Sequence, residues 1–181
     1  STGHMIITAS LLGMEPTAFT KTFMVSIQLG AILAVVLMYI ERFLQSIRFY
    51  LILLVGVLPA VVLGAAFDNW IDHAMGRIDL VGYGLILGGI VLLFTDRFFN
   101  IEGYAGAQVT PKNSFIIGLF QCTAIMLPGI SRSAATIIGG LTRNLGRKRA
   151  AEFSFLLAVP TMCAATGYKL LVYFRSGATI E

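Results

Sequence analysis

Charge is scarce in this chain, and the scarcity decides its solvent. Lys and Arg number 13 and Asp and Glu 9 among 181 residues, 12% in all, against about 25% in a soluble domain. Hydrophobic residues make up 57%, and the mean hydropathy is +0.85. One small core cannot hide so much apolar surface, so lipid is the solvent for much of it and a water-soluble globule is excluded. There are only two cysteines. Cys122 and Cys163 both lie in apolar runs, which reads as buried free thiols and argues against a disulfide framework or a metal site. The net charge of +4 has no soluble basic face to sit on, so no nucleic-acid partner is expected and the basic residues report topology instead. The chain also lacks an initiator Met and a charged leader before Ser1, and it stops soon after an apolar segment. It is therefore expected to be an internal piece of a longer membrane protein.

What is present is a series of apolar runs. Phe23 to Ile40, Tyr50 to Phe67, Leu80 to Thr95 and Phe153 to Phe174 predict transmembrane helices over about 23–40, 50–67, 80–95 and 153–174. Lys169 alone interrupts the last, near an end where its long side chain can snorkel to the headgroups. Phe115 to Leu127 is short for a crossing and meets Pro128-Gly129, which predicts a broken, re-entrant element over about 114–145. The basic residues agree. Arg42, Arg48, Arg97, Lys112, Arg143, Arg147, Lys148 and Arg149 fall in segments that share one side only if the chain between Lys112 and Arg143 returns to the side it entered; Lys21, Arg77 and Arg175 fall opposite. The larger set marks the cytoplasmic face. Gly56, Ala60 and Gly64, and Gly84 with Gly88, offer small-residue faces for close helix packing. Trp70, His73 and Tyr83 read as interfacial anchors.

The chain also loosely resembles itself. Ser1-Thr2-Gly3-His4-Met5-Ile6-Ile7 aligns with the stretch from Ser131 to Ile138, and the run opening at Phe23 with the run opening at Phe153. Three crossings separate the two units, so their long helices run in opposite directions. The expected architecture is an all-α polytopic bundle with two re-entrant helix-loop-helix elements, elbow 1 at 1–13 and elbow 2 at 114–145, in an inverted-topology repeat whose elbows face each other near the midplane. Elbow 2 holds Arg132 among Ser131, Ser133 and Thr136, at the start of a helix. An arginine at membrane depth costs about 2.5 kcal/mol or more and is retained for a partner or a task. A guanidinium fork, hydroxyls and a helix N-terminus suit a phosphate; pairing of Arg132 with Glu152 is the structural alternative. Elbow 1 brings Ser1, Thr2 and His4, as nucleophile and proton carrier or as phosphate ligands. Gln28 is packing glue or a site residue.

Ser-Thr-Gly-His ahead of Ile27-Gln28-Leu29-Gly30, Gln121 ahead of Pro-Gly-x-Ser-Arg-Ser-x-x-Thr, and the run from Glu152 to Pro160 together resemble the undecaprenyl-diphosphate phosphatases of the bacitracin-resistance (BacA, UppP) family. The resemblance covers nearly the whole chain. It implies a multi-pass hydrolase of the bacterial inner membrane that converts undecaprenyl diphosphate to undecaprenyl phosphate and inorganic phosphate, recycling the lipid carrier of peptidoglycan synthesis and conferring bacitracin resistance. Its active site is expected to open toward the periplasm. Its partners are a polyprenyl diphosphate substrate and membrane lipids, with a homodimer left open. By position it implies Ser1, His4 and Arg132 as catalytic, Thr2, Ser131, Ser133 and Thr136 as phosphate-binding, and Gln28, Gln121 and Glu152 as supporting. A divalent cation, Mg2+ or Ca2+, is implied as well; its acidic ligands in the family lie upstream of Ser1, so the piece alone is not expected to catalyse.

Two other readings compete. The type-2 phosphatidic acid phosphatases use a similar Ser-Gly-His and Ser-Arg but place a His six residues after the Arg, where this chain has Ile138. A lipid-phosphate transporter or flippase shares the expected architecture, but has no evident use for Ser, His and Arg converging on one phosphorus.

Overall fold

A chain in lipid must satisfy its backbone polar groups internally, and helices do so within each segment. In the computed structural model, which describes residues 2–15, 17–43, 46–99 and 108–175, ten helices and no strand are found among the described residues. They are α1 (Thr2–Leu11), α2 (Ala18–Ser26), α3 (Gln28–Met38), α4 (Ile40–Phe43), α5 (Ile47–Ala66), α6 (Asp68–Met75), α7 (Ile78–Phe98), α8 (Pro111–Met126), α9 (Arg132–Thr142) and α10 (Arg147–Arg175). Hydroxyl residues open several of them. Thr17, Ser46, Thr110 and Ser131 each accept a hydrogen bond from a backbone N–H three residues on, satisfying one of the orphan donors of the first turn. Pro111 follows Thr110 at the first helical position, where its missing N–H is no loss.

Four helical stretches are long and apolar enough to cross a membrane: Phe19–Met38, Ile47–Ala66, Ile78–Thr95 and Arg147–Arg175. The protein is therefore a multi-pass membrane protein. The first stretch is α2 and α3 joined at Ile27, where the Gln28 side chain donates to Met24 O at 3.0 Å. Outward-facing side chains such as Leu33, Leu37 and Leu93 are more than half exposed, a surface suited to acyl chains.

Helices α8 and α9 form a hairpin. The chain enters at Pro111, breaks over Leu127 to Ser131, and returns, and Arg143 Nε donates to Asn113 Oδ1 at 3.2 Å to close the base. At ~1.5 Å per residue the two arms are about 24 and 16 Å long, each short of the ~30 Å hydrocarbon core. Arm α8 lies against α5 through a crossing that only glycine permits. A Cβ on Gly118 would stand 2.2 Å from Gly56 O, and one on Gly56 would stand 2.5 Å from Ser114 Oγ. Ser114 Oγ donates to Ile52 O across the same crossing at 2.6 Å. The main core grows from this contact: Leu53 and Val57 of α5, Ile117 of α8, Leu141 and Leu145 at the hairpin base, and Phe153, Leu156 and Leu157 of α10. Of the small-residue face predicted on α5, Gly56 and Ala60 are buried in packing, whereas a Cβ on Gly64 would meet nothing within 4 Å.

Lys169 is paired within the protein. Its Nζ bonds Asp68 Oδ1 at 2.8 Å and Asp72 Oδ1 at 2.7 Å, two carboxylates one turn apart on α6, and Tyr168 OH donates to Asp68 Oδ2 at 3.3 Å. Lys21 Nζ donates to Asp72 O at 3.1 Å, so α2, α6 and α10 are tied at one end of the bundle. A long cation near the end of an apolar helix takes the nearest anions, and the turn after α5 supplies them.

Gly118→Val, which forces a branched side chain into the Gly56 carbonyl, is expected to destabilise the protein by about 1–3 kcal/mol or more. A lowered thermal midpoint in detergent, with Gly64→Val unchanged, checks this.

Candidate active site at two elbows

The start of α1 and the turn between α8 and α9 meet on one face of α7. Gly129, at φ +102°, adopts a left-handed conformation that suits glycine, and the space around it is closed as well: a Cβ there would stand 2.2 Å from Val81 O and 2.9 Å from Leu85 N. From the other side, a Cβ on Gly84 would stand 2.2 Å from Pro128 O, and Gly88 faces Ile130. The small-residue face predicted on α7 for helix packing thus receives the broken backbone of elbow 2. Gly3 completes the junction. A Cβ on it would lie 3.1 Å from Gly129 Cα and 3.4 Å from Val81 Cγ1, so the start of α1 touches the turn that precedes α9. Three glycines from three segments let backbone approach backbone, and the polar residues that follow Gly3 and Gly129 are thereby held near one another.

Elbow 2 is built by the capping of α9. Ser131 Oγ accepts from Ala134 N at 3.3 Å and shares a hydrogen bond with Ser133 Oγ at 3.1 Å. The N–H groups of Arg132 and Ser133, first in the helix, have no carbonyl one turn back to bond. Arg132 itself is half-buried, and its Nη1 is buried with no hydrogen-bond partner among the described residues. Thr136, one turn on, is fully buried. Its hydroxyl lies 3.0 Å from Arg132 O, 3.1 Å from Ser133 O and 2.6 Å from Ser154 Oγ of α10, so it braces α9 against α10 from within.

Elbow 1 is braced in the same manner. Thr2 Oγ1 accepts from Gln28 Nε2 at 3.1 Å and stands 3.3 Å from Gln28 Oε1, which joins the start of α1 to the α2–α3 junction. Gln28 is thus glue between an elbow and its long helix. His4 is exposed, and its backbone carbonyl accepts from Thr8 Oγ1. Ser1 lies outside the described residues. Gln121 and Glu152 stand behind the site: Gln121 is fully buried on α8 with its Oε1 3.4 Å from Thr161 Oγ1, and Glu152 is half-buried near the start of α10 with partners of its own. Ser154 and Thr161 were not among the expected site residues. Their signal in the sequence was two hydroxyls seven residues apart, and so on one helix face, within the apolar run from Phe153 to Ala165.

Among the described residues no group of three or more His, Cys, Asp or Glu could hold a metal ion. Apart from His4, the described side chains at the elbows are hydroxyls, amides and a guanidinium, a set made to donate to an anion. The residues described here do not make the ligand set of a divalent cation.

The fold defines a multi-pass membrane protein in which the start of α1 and the turn that opens α9 bring hydroxyl and guanidinium side chains to one face of α7. The bacitracin resistance protein BacA family matches residues 1–180, and the chain belongs to that family. Similar proteins named undecaprenyl-diphosphatase occur in Bdellovibrio bacteriovorus, 48% identical over 97% of this chain and 68% of that protein, and in Flavobacterium psychrophilum, 50% identical over 98% of this chain and 67% of its counterpart. A third, from Aquifex aeolicus, is 45% identical over 100% of this chain and 70% of its own length.

Gly129→Ala places a methyl group against Val81 O in a backbone conformation that alanine resists. In the whole protein it is expected to displace elbow 2 and lower phosphate release by about a hundredfold, with Gly89→Ala on the open face of α7 as the unaffected control.

Proposed function

We propose that this chain carries the reaction centre of an undecaprenyl-diphosphate phosphatase, which hydrolyses the terminal phosphate of the lipid diphosphate and returns undecaprenyl phosphate to cell-wall synthesis. The observation that carries the reading is the buried Nη1 of Arg132, without a hydrogen-bond partner among the described residues and flanked by Ser131 and Ser133 at the start of a helix. A guanidinium so placed is costly until an anion arrives, and a diphosphate supplies both the charge and the oxygens for its fork.

In this reading Arg132, with the hydroxyls of Ser131 and Ser133 and the first N–H groups of α9, grips the diphosphate and stabilises the charge that grows on its equatorial oxygens. Attack on the terminal phosphorus forms a new P–O bond and breaks the anhydride bridge, with undecaprenyl phosphate as the leaving group. Ser1 or a water is the attacking group; if Ser1 attacks, a water then cleaves the phosphoserine, freeing inorganic phosphate and the serine. His4 takes the proton of the attacking hydroxyl or returns one to the leaving oxygen. Thr2 and Thr136 keep the two elbows in place, which leaves direct phosphate contact mainly to Ser131 and Ser133. The divalent cation of the family resemblance has no ligand set among the described residues, and no step here is routed through it.

The two elbows and their long helices form an inverted repeat, with the α8–α9 hairpin as a re-entrant element. The basic residues at the hairpin base, Lys112 and Arg143 among them, support an orientation with that base at the cytoplasmic face of the bacterial plasma membrane. The tip then reaches toward the outer half of the bilayer, and the site opens to the outside.

In the whole protein, Arg132→Ala is expected to lower phosphate release from undecaprenyl diphosphate by at least about a hundredfold, with the helical content and thermal midpoint unchanged. Near wild-type turnover would remove Arg132 from the site. Ser1→Ala separates the two attack modes: a nucleophile cannot be replaced without loss of all turnover, whereas a phosphate ligand leaves a measurable fraction.

A further inference from the structure

Gln121 precedes Pro128 by seven residues on one arm of the hairpin, and Thr136 follows Gly129 by seven on the other. Facing them on α10 stand Thr161 and Ser154, themselves seven residues apart and so on one face of the helix, two turns from each other. Ser154 Oγ lies 2.6 Å from Thr136 Oγ1 and 3.4 Å from Ser133 O; Thr161 Oγ1 lies 3.4 Å from Gln121 Oε1 and donates to Leu157 O at 2.8 Å. All four side chains are at most 9% exposed, and residues such as Leu156, Leu157 and Ala158 pack among them. A single face of α10 therefore carries the α9 arm and meets the α8 arm at Gln121, at matched distances from the elbow.

Apolar packing alone would let a helical arm slide by a fraction of a turn at little cost, because one leucine contact replaces another. Buried polar pairs resist sliding, since a displaced group gives up a partner that an apolar neighbour cannot replace. Gln121 makes the point sharply. It is 0% exposed, and its Nε2 has no hydrogen-bond partner among the described residues. A leucine or methionine would fill the same space without burying an unsatisfied amide, so the amide is kept for its bond to α10.

We propose that Gln121 is a positioning residue of the reaction centre. With Thr161 it ties the α8 arm, which packs on α5, to α10 below the elbow, as Thr136 and Ser154 tie the α9 arm, and together they hold Arg132 in place. This rests on the reading of Arg132 as the phosphate clamp. A displacement of about 1 Å in such a clamp lowers turnover by up to about a hundredfold.

The test uses the whole protein with undecaprenyl diphosphate as substrate. Thr161→Val keeps the shape and removes the hydroxyl; it is expected to lower kcat by about ten- to a hundredfold while KM stays within about twofold of wild type. Thr161→Ser is expected to restore kcat to within about threefold. Gln121→Leu should match Thr161→Val, and the double variant should be no worse than either alone, because both remove one shared bond. A kcat per folded molecule at the wild-type value in Thr161→Val and Gln121→Leu, with Arg132→Ala inactive, would overturn the positioning role. Full activity in Arg132→Ala would instead overturn the reading of the clamp on which it rests.

Discussion

Everything at the reaction centre hangs on the contact between the Pro128-Gly129 backbone and the Val81–Leu85 turn of α7, where a Cβ on either glycine would come within 2.2 Å of a carbonyl oxygen. A helix broken inside lipid exposes N–H and C=O groups that no solvent can satisfy, so a break is stable only where other protein segments cover it. Here the cover is provided by glycine. Gly84 opens a notch in α7 deep enough for the elbow, and Gly3 brings the start of α1 against the same turn. The polar side chains of both elbows then follow, because each lies within a few residues of a glycine whose position is dictated by backbone contact.

That geometry sets the electrostatics. Arg132 stands at the first position of α9, where capping by Ser131 directs the helix's own orphan donors toward the elbow. The guanidinium adds a charge whose buried nitrogen has no protein partner among the described residues, and in the proposed function an anion supplies one. Lys169 shows the contrast within the same chain. It too is a cation at the edge of apolar surroundings, but Asp68 and Asp72 accept its hydrogens, and it serves as a structural tie.

Much of this was legible in the residues. Scarce charge and four apolar runs specify helices that cross a membrane, because backbone in lipid has no other economical arrangement for a chain this size. The Pro-Gly break ahead of Ser-Arg-Ser marked the elbow, since Pro128 disrupts a helix and an arginine at depth needs an anion. What stayed hidden were contacts between segments far apart in sequence. Lys169 read as a snorkelling side chain because its partners lie about a hundred residues earlier, on a short helix after α5. Gly84 read as a helix-packing residue because spacing shows that a face is small but not what fills it. Thr136 read as a phosphate ligand because the motif places it beside Arg132; its hydroxyl is taken up by Ser154, a residue of the next helix.

The sequence by itself determined the solvent, the helices, the break and the chemical character of the two elbows, all properties of residues close together along the chain. Only the tertiary structure decided that Gly3 and Gly129 touch, that α7 is the wall they share, and that α10 meets α9 through Ser154 and α8 through Thr161. The physical reason is that steric fit and buried hydrogen bonds between distant segments depend on distances of a few tenths of an ångström, whereas pattern and composition carry only which faces are apolar, small or polar.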